Sequence, residues 1–355
     1  MAQANATKEM LAYRYHSDSR EPLQETIPIP SPGPSEVLIK ILAAGLCHSD
    51  LSILYPELAP AIWPYVFTMG HEGAGVIVEV GSEVPLSHPE LKVDTYVAIH
   101  ACNPCLDESC SNCSSGKDNL CMIHGPYGLG TDGAWASHCT VRAKCVVRIP
   151  GDIHSIPPPI AAIATDAILT PYHALKTCIG IRPEQTLLVM GCGGLGNSAI
   201  QLAKNSLGVK SIVGCDVRDV SLGIAKTAGA QYTAKPEGLA ELIQQNNLHI
   251  DVVIDFVGNQ QSFDTAFAVV GGCGTIHIVG MGAKDITFPL LGIAAKDLTI
   301  KSSFWGRREE LPEVLEALAR GEIKMDVDIR GFQDIPQALR DMAAGKLKTR
   351  AVFIP

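Results

Sequence analysis

The sequence of 355 residues predicts an α/β protein with two domains. One domain is β-rich, and the other is a doubly wound parallel sheet with helices on both faces. The chain is long enough for two hydrophobic cores, its N-terminal part is rich in short β-branched segments, and its middle alternates apolar strands with helix-like stretches. We assign residues 1–165 and 303–355 to the β-rich domain and residues 166–302 to the parallel sheet.

The N-terminal 165 residues contain short apolar, β-branched segments that are broken by glycine and proline, which is typical of strands. The clearest are "EVLIKILAAGLC", "GAGVIVEVGSEV", "TYVAIHAC" and "HCTVRAKCVVRIP". Three consecutive prolines, Pro157 to Pro159, then mark a boundary after which the pattern changes.

From about Pro183, apolar strands alternate with helix-like stretches. The predicted strands include "TLLVMGCGG", "KSIVGCDV", "HIDVVIDFVG", "GTIHIVGMG" and "LTIKSSFWG". Helix-like segments such as "LGNSAIQLAKNSLG" and "SLGIAKTAGA" lie between them. Repetition of strand, helix and strand predicts a parallel sheet wrapped by helices.

The first of these strands runs into a glycine-rich loop, Gly191-Cys192-Gly193-Gly194-Leu195-Gly196, and then into a helix. In a dinucleotide-binding loop, Gly191 permits the tight turn, Gly193 lets the backbone approach a pyrophosphate, and Gly196 allows the helix to pack closely on the strand. Asp216 ends the next strand, where a carboxylate accepts hydrogen bonds from the adenosine ribose and repels a 2′-phosphate. The pattern predicts a Rossmann domain that prefers NAD, and Arg218 leaves room for NADP.

Composition and charge exclude several classes of function. Apolar residues make up 46% and charged residues 18%, which indicates a folded globular protein. The formal net charge of -9 argues against nucleic acid as a partner, because phosphate binding needs a basic face. The sequence has no apolar run of about 18 residues and no apolar signal-peptide region at the N-terminus. We therefore expect a cytoplasmic protein without a membrane partner.

The segment "ACNPCLDESCSNCSSGKDNLC", from Ala101 to Cys121, contains five of the chain's 12 cysteines. Disulfides, a metal site, a redox relay and a metal-free thiol cluster are the alternatives. A reducing cytoplasm disfavours disulfides. Closely spaced thiols there usually bind zinc, because zinc contributes folding energy to a loop with little core of its own.

Three further segments carry potential zinc ligands: "GLCHSDLS", "TMGHEGAG" and "IATDAILTPYHAL". Taken singly, their cysteine and histidine could be ordinary core residues. Together they resemble the zinc-dependent alcohol dehydrogenase family of the medium-chain dehydrogenase/reductase superfamily. The most specific match is "GHEGAGVIVEVGSEV", and "TDAILTPYHA" and "SFWG" are similar to segments of secondary-alcohol dehydrogenases and carbonyl reductases. The resemblance covers nearly the whole chain and implies a GroES-like fold for the β-rich domain.

The resemblance implies that Cys47, His71 and Asp166 bind a catalytic zinc. Asp166 stands where many relatives have a second cysteine, and Glu72 lies beside the metal as an occasional ligand. Asp50 is expected to accept the ring N–H of His71. Three protein ligands leave one position open for the substrate oxygen, which zinc polarises as a Lewis acid.

Relatives also carry a C-x2-C-x2-C-x7-C lobe in which four thiolates bind a structural zinc. Cys110, Cys113 and Cys121 fit its last three positions. Strict spacing puts Asp107 at the first position, whereas Cys105 and Cys102 lie earlier in the chain. We predict that Cys105 is the fourth ligand, with Cys102 and Asp107 as alternatives.

The resemblance also implies a proton path. The residue two positions after the zinc cysteine, here Ser49, hydrogen-bonds the substrate oxygen in the family. A histidine five positions after that cysteine passes the proton on, but this chain has Ser52, which cannot hold a proton near neutral pH. We expect release directly to water or through another group such as His48.

Further coenzyme contacts follow from the resemblance. His48 and Arg350 match the residues that contact the pyrophosphate, and a guanidinium suits phosphate geometry. Val279 lies in "HIVGMG", which resembles the segment that presents backbone to the nicotinamide amide, and Val257 completes the predicted coenzyme contacts.

The predicted substrate pocket is aromatic and includes Trp63, Trp135, Phe304 and Trp305. Aromatic residues near zinc favour a hydrophobic ketone or secondary alcohol as the small-molecule substrate. We therefore predict an NAD(H)-dependent alcohol dehydrogenase with two zinc ions per subunit, one catalytic and one structural. The alternatives are a polyol dehydrogenase, a zinc-free enoyl or quinone reductase, and a silent protein that keeps the fold. The family also implies a homodimer or homotetramer, paired through the strands "GTIHIVGMG" and "LTIKSSFWG".

Overall fold

The computed structural model describes residues 8–55 and 65–355, which form two compact units. Unit 1 contains the described residues of Met1–Asp166 together with Arg307–Ala319 and Asp326–Pro355. Unit 2 contains Ala167–Gly306 and Arg320–Met325. In the described part of the chain, no helix is both long enough and apolar enough to cross a bilayer.

The described elements are named here in chain order. The strands are β1 (Glu9–Tyr15), β2 (Leu23–Pro28), β3 (Glu36–Gly45), β4 (Phe67–Thr68), β5 (Gly73–Val80), β6 (Tyr96–Ile99), β7 (His138–Arg142), β8 (Val146–Arg148), β9 (Thr186–Met190), β10 (Ser211–Cys215), β11 (Tyr232–Ala234), β12 (Ile250–Asp255), β13 (Val270–Ile278), β14 (Thr299–Ser302), β15 (Val327–Gly331) and β16 (Arg350–Ile354). The α-helices are α1 (His48–Ser52), α2 (Val84–Ser87), α3 (Ser111–Ser114), α4 (Pro158–Ile163), α5 (Leu169–Tyr172), α6 (Gly194–Gln201), α7 (Asp219–Ala228), α8 (Pro236–Gln245), α9 (Gln260–Val269), α10 (Leu290–Lys296), α11 (Leu311–Ala319) and α12 (Ile335–Ala343).

Unit 1 is built on a seven-stranded sheet of order β15-β16-β3-β5-β6-β8, with β7 paired to β3, and on a small sheet of order β2-β1-β4. Antiparallel pairing of β3 with β5 sets Ala44 opposite Gly73, and pairing of β16 with β3 sets Val352 opposite Gly45. The segment that follows β3 therefore lies beside the segment that precedes β5 and beside the start of β16. Three distant parts of the sequence meet at this end of the sheet.

Unit 2 has a six-stranded parallel sheet of order β11-β10-β9-β12-β13-β14. Successive strands are added on one side of β9 up to β11 and on its other side from β12 onwards, so the strand order switches between β9 and β12. Ligands of open α/β sheets bind beyond the carboxyl ends of the strands at such a switch point. The buried core under the helices includes Leu188, Val253, Phe263 and Ile276. β14 is the last strand of this order and is largely exposed. Subunit pairing through this edge stays a prediction.

The helical segment from α4 to α5 contains a π-helical turn, Ala164–Ile168. Such turns often occur at functional sites, and this one carries Asp166. Pro171 has no N–H and cannot donate to the carbonyl of Ala167 one α-turn earlier. The Ser198 hydroxyl donates to that carbonyl instead. A side chain of α6 therefore satisfies the backbone group that the proline leaves without a helical partner.

His277 in β13 makes the stability of unit 2 sensitive to acid. Its side chain is buried, and its Nε2 atom lies 2.9 Å from the Ser303 hydroxyl. Burial, with the nearby charges of Lys301 and His173, lowers the pKa of His277 to about 4. Because an unfolded histidine titrates near 6.5, folding excludes a proton between these values, and stability present above pH 6.5 is lost as the pH falls towards 4.

We expect the exchange His277→Gln to reduce this acid sensitivity by roughly 2 kcal/mol between pH 7 and pH 5. The measurement is the melting temperature of variant and parent at both pH values. An equal drop in melting temperature for the two proteins would show that His277 is not the group responsible.

Candidate metal centres and coenzyme site

Cys47, His71 and Asp166 form a buried cluster in unit 1. The paired ends of β3 and β5 hold the first two, and the π-helical turn holds the third. Their potential ligand atoms all lie within 4.8 Å of one another. One thiol, one imidazole and one carboxylate at this separation suit the ligand set and bond lengths of a zinc ion with three protein ligands.

Asp50 hydrogen-bonds both the cysteine and the histidine of this cluster and so holds them in position. Its Oδ1 lies 2.9 Å from Nδ1 of His71, and its Oδ2 accepts the backbone N–H of Cys47 at 2.9 Å. Cys47 is the N-cap of α1, so Asp50 at the third helical position closes a capping interaction with it. With Nδ1 engaged, Nε2 of His71 is the nitrogen left for a metal, as in carboxylate–histidine–zinc triads.

Glu72 and Arg350 form a buried ion pair next to the cluster. The Arg350 guanidinium contacts both carboxylate oxygens of Glu72 and donates to Oδ2 of Asp166 at 2.7 Å. Gly45 makes room for this pair, because a Cβ atom there would lie 1.8 Å from Oε2 of Glu72. Arg350 is 7% exposed and is directed at these carboxylates. Its contact with a pyrophosphate stays a prediction.

The charges of the cluster attract a cation. Burial opposes ionisation of Asp166, but hydrogen bonding to His71 and the Arg350 charge hold its pKa well below the usual range. Burial raises the pKa of Glu72 to about 8, against the lowering effect of Arg350. Burial lowers the pKa of His71, yet Asp50 and Asp166 outweigh it and hold that pKa well above the usual value. Asp50 and Asp166 thus favour positive charge at the centre, which a divalent metal supplies.

The second cluster of unit 1 consists of Cys105, Cys110, Cys113 and Cys121. The Cys105 sulfur lies 3.6 Å from that of Cys113 and 3.7 Å from that of Cys121, and the sulfurs of Cys110 and Cys121 are 4.0 Å apart. A zinc tetrahedron with Zn–S bonds of ~2.3 Å has sulfur–sulfur edges of about 3.8 Å. A disulfide needs ~2.05 Å, so the four free thiols have the spacing of a metal site.

Two thiols of the second cluster differ in how readily they ionise. Backbone N–H groups of Cys113 and Asn112 contribute to lowering the pKa of Cys110 to about 7. Burial raises the pKa of Cys113 to about 12. Four thiolates at this spacing repel one another unless a cation lies between them.

The two alternative ligands lie outside the second cluster. The Asp107 carboxylate is exposed and accepts hydrogen bonds from the backbone N–H and the hydroxyl of Ser109, at 2.8 and 2.7 Å. Cys102 is buried, and burial raises its pKa well above the usual value. The structure therefore groups Cys105 with the other three thiols.

The glycine loop of unit 2 connects β9 to α6. Gly191 has φ +81°, a conformation that favours glycine. A Cβ atom at Gly196 would lie 2.0 Å from the Gly191 carbonyl oxygen, so the helix start packs against the loop only without a side chain. Gly193 is the N-cap of α6, followed by Gly194 and Leu195. The loop thus brings unblocked backbone to a helix N-terminus, which favours an anionic ligand.

Asp216 lies at the carboxyl end of β10, beside this loop. Its Oδ2 accepts the backbone N–H of Cys192 at 2.8 Å, and its Oδ1 accepts that of Arg218 at 2.9 Å. Two backbone donors therefore fix the Asp216 carboxylate beside the glycine loop, and its contact with a dinucleotide stays a prediction.

Comparison with known proteins identifies the family. Residues 33–151 match the alcohol dehydrogenase GroES-like domain, and residues 194–320 match the zinc-binding dehydrogenase domain. An alcohol dehydrogenase of Geobacillus stearothermophilus is 30% identical over 327 residues, which cover 90% of this chain and 91% of that protein. The chain belongs to the zinc-dependent alcohol dehydrogenase family. The predicted family and the GroES-like and Rossmann fold class are confirmed.

Solved structures of alcohol dehydrogenases are similar over their full length. Acetophenone reductase from Geotrichum candidum, in complex with NAD, is 32% identical with a TM-score of 0.86, and 99% of each chain is covered. The alcohol dehydrogenase of Aeropyrum pernix is 27% identical with a TM-score of 0.86, covering 97% of this chain and 100% of that one. This alcohol dehydrogenase chain is therefore an oxidoreductase that acts on a small molecule.

The predicted proton path of this alcohol dehydrogenase starts beside the first cluster. The Ser49 hydroxyl lies 3.8 Å from the Cys47 sulfur. His48 is exposed at the start of α1, and the Ser52 hydroxyl donates to the His48 carbonyl at 3.0 Å. Ser49 thus lies beside a candidate metal ligand and His48 is exposed, and the proton path through them stays a prediction.

Trp135, one of the predicted pocket residues, has contacts close to the first cluster. Trp135 is 0% exposed, its indole N–H donates to the Gly45 carbonyl at 3.1 Å, and its ring packs edge-on against Phe353. A Cβ atom at Gly70 would lie 2.2 Å from the Trp135 ring. Trp135 thus packs against the chain at Gly45 and Gly70, close to the first cluster, and its place in the substrate pocket stays a prediction.

The other pocket residues stay predictions. Phe304 and Trp305 lie in unit 2 with their ring centroids 5.8 Å apart, and Trp305 adopts a left-handed backbone with φ +55°. Trp63 lies outside the described residues. The close packing at Gly45 was not predicted, although a glycine at the end of a strand two residues before a ligand cysteine is a signal for it.

Proposed function

We propose that the protein interconverts hydrophobic ketones and secondary alcohols with NAD(H). The observation that carries this proposal is the buried cluster of Cys47, His71 and Asp166, with His71 oriented by Asp50, in a chain of the alcohol dehydrogenase family. A zinc-free reductase would not need three such donors within 4.8 Å of one another.

Cys47, His71 and Asp166 would hold the catalytic zinc, and the thiols of Cys105, Cys110, Cys113 and Cys121 would hold a structural zinc. When bound, the catalytic ion supplies a Lewis acid that lowers the pKa of a substrate hydroxyl. Asp50 keeps Cys47 and His71 in place during turnover through its two hydrogen bonds. The buried pair of Glu72 and Arg350 supports Asp166 from the other side.

The glycine loop and Asp216 support binding of NAD(H) to unit 2. The coenzyme accepts or donates the hydride. We assign the pyrophosphate to Gly191, Gly193 and the start of α6, and the adenosine ribose hydroxyls to Asp216, whose two backbone donors fix its orientation. A carboxylate at this position repels the extra phosphate of NADP, which favours NAD.

Ser49 is the proposed proton carrier. Its hydroxyl can accept the proton of an alcohol substrate on one side while donating its own proton on the other, and the reverse transfer serves ketone reduction. Ser52 cannot store the proton, so we propose that it leaves through water or through His48, which is exposed.

Two proteins of similar structure support a first and a second candidate for the substrate class. Acetophenone reductase, at 32% identity over 99% of both chains, acts on an aryl ketone, which favours a hydrophobic carbonyl substrate here. The paired rings of Phe304 and Trp305 agree with that preference. The D-arabinose dehydrogenase of Sulfolobus solfataricus, at 25% identity, keeps a polyol or sugar substrate as the second candidate.

The test compares NADH oxidation with acetophenone and NAD reduction with sorbitol and D-arabinose, for the zinc-containing parent and for Ser49→Ala. We expect turnover of the ketone, and a fall in kcat of about 10²–10⁴-fold in Ser49→Ala because one step of proton transfer is lost. Ser52→Ala is the matched control and should keep kcat within about twofold, since its hydroxyl is tied to the His48 carbonyl.

Higher kcat/KM for sorbitol or D-arabinose than for the ketone would replace the proposed substrate class by the second candidate. Equal kcat in Ser49→Ala and the parent would remove Ser49 from the proton path. A zinc-loaded protein that turns over none of these compounds would contradict the proposed function.

A further inference from the structure

Asp255 is a buried carboxylate at the carboxyl end of β12, and its side chain holds the loop that follows. It is 0% exposed. Its Oδ1 accepts the backbone N–H groups of Val257 at 2.8 Å and Gly258 at 3.1 Å, and its Oδ2 accepts the Ser262 hydroxyl at 2.6 Å. The carboxylate therefore binds the turn between β12 and α9 at three points.

The backbone of Asp255 also holds the loop after β13. Its carbonyl accepts the N–H groups of Val279 at 2.8 Å and Gly280 at 2.9 Å. One residue thus anchors two loops at neighbouring strand ends. Val279, the predicted nicotinamide contact, and Val257, a further predicted coenzyme contact, each donate the backbone N–H to Asp255.

The two loops are joined directly as well. Gly282 donates to the Val257 carbonyl at 3.0 Å, and Ala283 donates to the Gly258 carbonyl at 2.9 Å. Gly258 has φ +69°, and a Cβ atom on it would lie 1.9 Å from the Gly280 carbonyl oxygen. Such close contact leaves the loops little freedom to move apart unless their anchor is lost.

This pair of loops lies beside the glycine loop. Phe256 donates to the Met190 carbonyl at 2.9 Å, and a Cβ atom at Gly191 would lie 2.9 Å from a Val257 methyl group. β9 and β12 are the strands between which the sheet reverses its order, so the loops border the place where a dinucleotide binds.

We propose that Asp255 is a positioning residue for the nicotinamide half of the coenzyme, acting through the backbone of Val257 and Val279. This inference rests on the proposed function. The adenosine half has separate supports, the glycine loop and Asp216, and within residues 8–55 and 65–355 Asp255 makes no hydrogen bond to either. Loss of Asp255 should therefore affect the two halves unequally.

The negative charge of Asp255 is not what the loops need. Oδ1 accepts both backbone N–H groups, and an asparagine Oδ1 can do the same. Ser262 already has a second acceptor, the Asn259 carbonyl at 2.9 Å, so its hydroxyl can accept from an asparagine N–H. Asp255→Asn should keep the loops in place, whereas Asp255→Ala should release them.

The experiment measures dissociation constants for NADH and for ADP-ribose, which lacks the nicotinamide, by fluorescence and calorimetric titration of the whole protein. For Asp255→Ala we expect NADH to bind about tenfold more weakly, while ADP-ribose binding changes less than about twofold. Asp255→Asn should bind both ligands nearly as the parent does.

Asp251→Ala is the matched control. Asp251 lies on the same strand, and its carboxylate also accepts a backbone N–H, that of Thr186 at 2.7 Å, but near the opposite end of β12. The exchange Asp251→Ala removes a side-chain to backbone hydrogen bond from unit 2 and should leave the dissociation constants for NADH and ADP-ribose unchanged. If Asp255→Ala does not fold, Ser262→Ala takes its place in the test. We then expect the dissociation constant for NADH to rise about threefold and that for ADP-ribose to stay unchanged.

Equal weakening of NADH and ADP-ribose in Asp255→Ala would overturn the inference and indicate a general structural role. Unchanged NADH binding in that variant, or in Ser262→Ala if it must decide, would overturn it too. A parent protein that binds neither ligand would contradict the proposed coenzyme itself, so the two failures are distinguishable.

Discussion

Replacement of Cys47 by serine is expected to remove one zinc per chain and to lower kcat for the ketone by at least about 10³-fold. The thiolate provides negative charge in a buried cluster whose other metal ligands are His71 and Asp166. A hydroxyl binds zinc far more weakly, and the Lewis acid contributes several kcal/mol to the reaction. Mass spectrometry of the native protein for zinc content and steady-state kinetics provide the measurement.

Cys273→Ser is the control for this experiment, because Cys273 is an exposed free cysteine outside both clusters. It should retain two zinc ions and the parental kcat. If Cys47→Ser also retained two zinc ions and the parental kcat, the cluster would not be the catalytic centre. If Cys47→Ser lost one zinc ion but kept the parental kcat, Cys47 would be confirmed as a zinc ligand. The proposed role of that zinc in catalysis would be contradicted.

Replacement of Cys110 by serine is expected to remove the other zinc and to loosen the segment 105–121. Structural zinc binding is worth about 10–16 kcal/mol in isolated zinc-finger peptides, and this segment has few buried residues of its own. We expect rapid cleavage between residues 105 and 121 in limited proteolysis and a melting temperature lowered by several degrees. The zinc at Cys47 should remain, which the zinc content per chain will report.

Asp107→Asn tests Asp107 against Cys105 as the fourth ligand of this site. The Asp107 carboxylate lies outside the thiol cluster and binds Ser109, so its exchange should leave two zinc ions and the parental resistance to proteolysis. Loss of zinc in Asp107→Asn, with retention in Cys105→Ser, would instead identify Asp107 as the ligand.

Features that depend on local backbone conformation can be predicted from the sequence. The glycine loop is an example, because only a residue without a side chain readily adopts the positive φ of Gly191 and allows the close packing at Gly196. The fourth ligand of the cysteine site is less accessible, since spacing alone does not determine the path of a loop. Leu106 adopts φ +54°, and this bend lies between Cys105 and Asp107.

Contacts that depend on strand register could not be predicted from the sequence. Trp135 supports the chain at Gly45, 90 positions away, and Arg350 contacts Glu72 across 278 positions. Sequence patterns describe an aromatic or a basic residue but not the partner that sheet pairing brings to it. The contacts of Trp135 with Gly45 and Phe353 were therefore not predicted.

The two clusters make different demands on the folding chain. The cysteine cluster closes a short loop, since Cys105 and Cys121 are 16 positions apart, and short loops cost little chain entropy to close. The other cluster needs β3 and β5 in register, and the π-helical turn placed against them, before positions 47, 71 and 166 can meet. Long-range pairing of this kind forms slowly. The cysteine segment can therefore capture its metal as a local event, whereas the reactive centre can exist only after the sheet of unit 1 has been assembled.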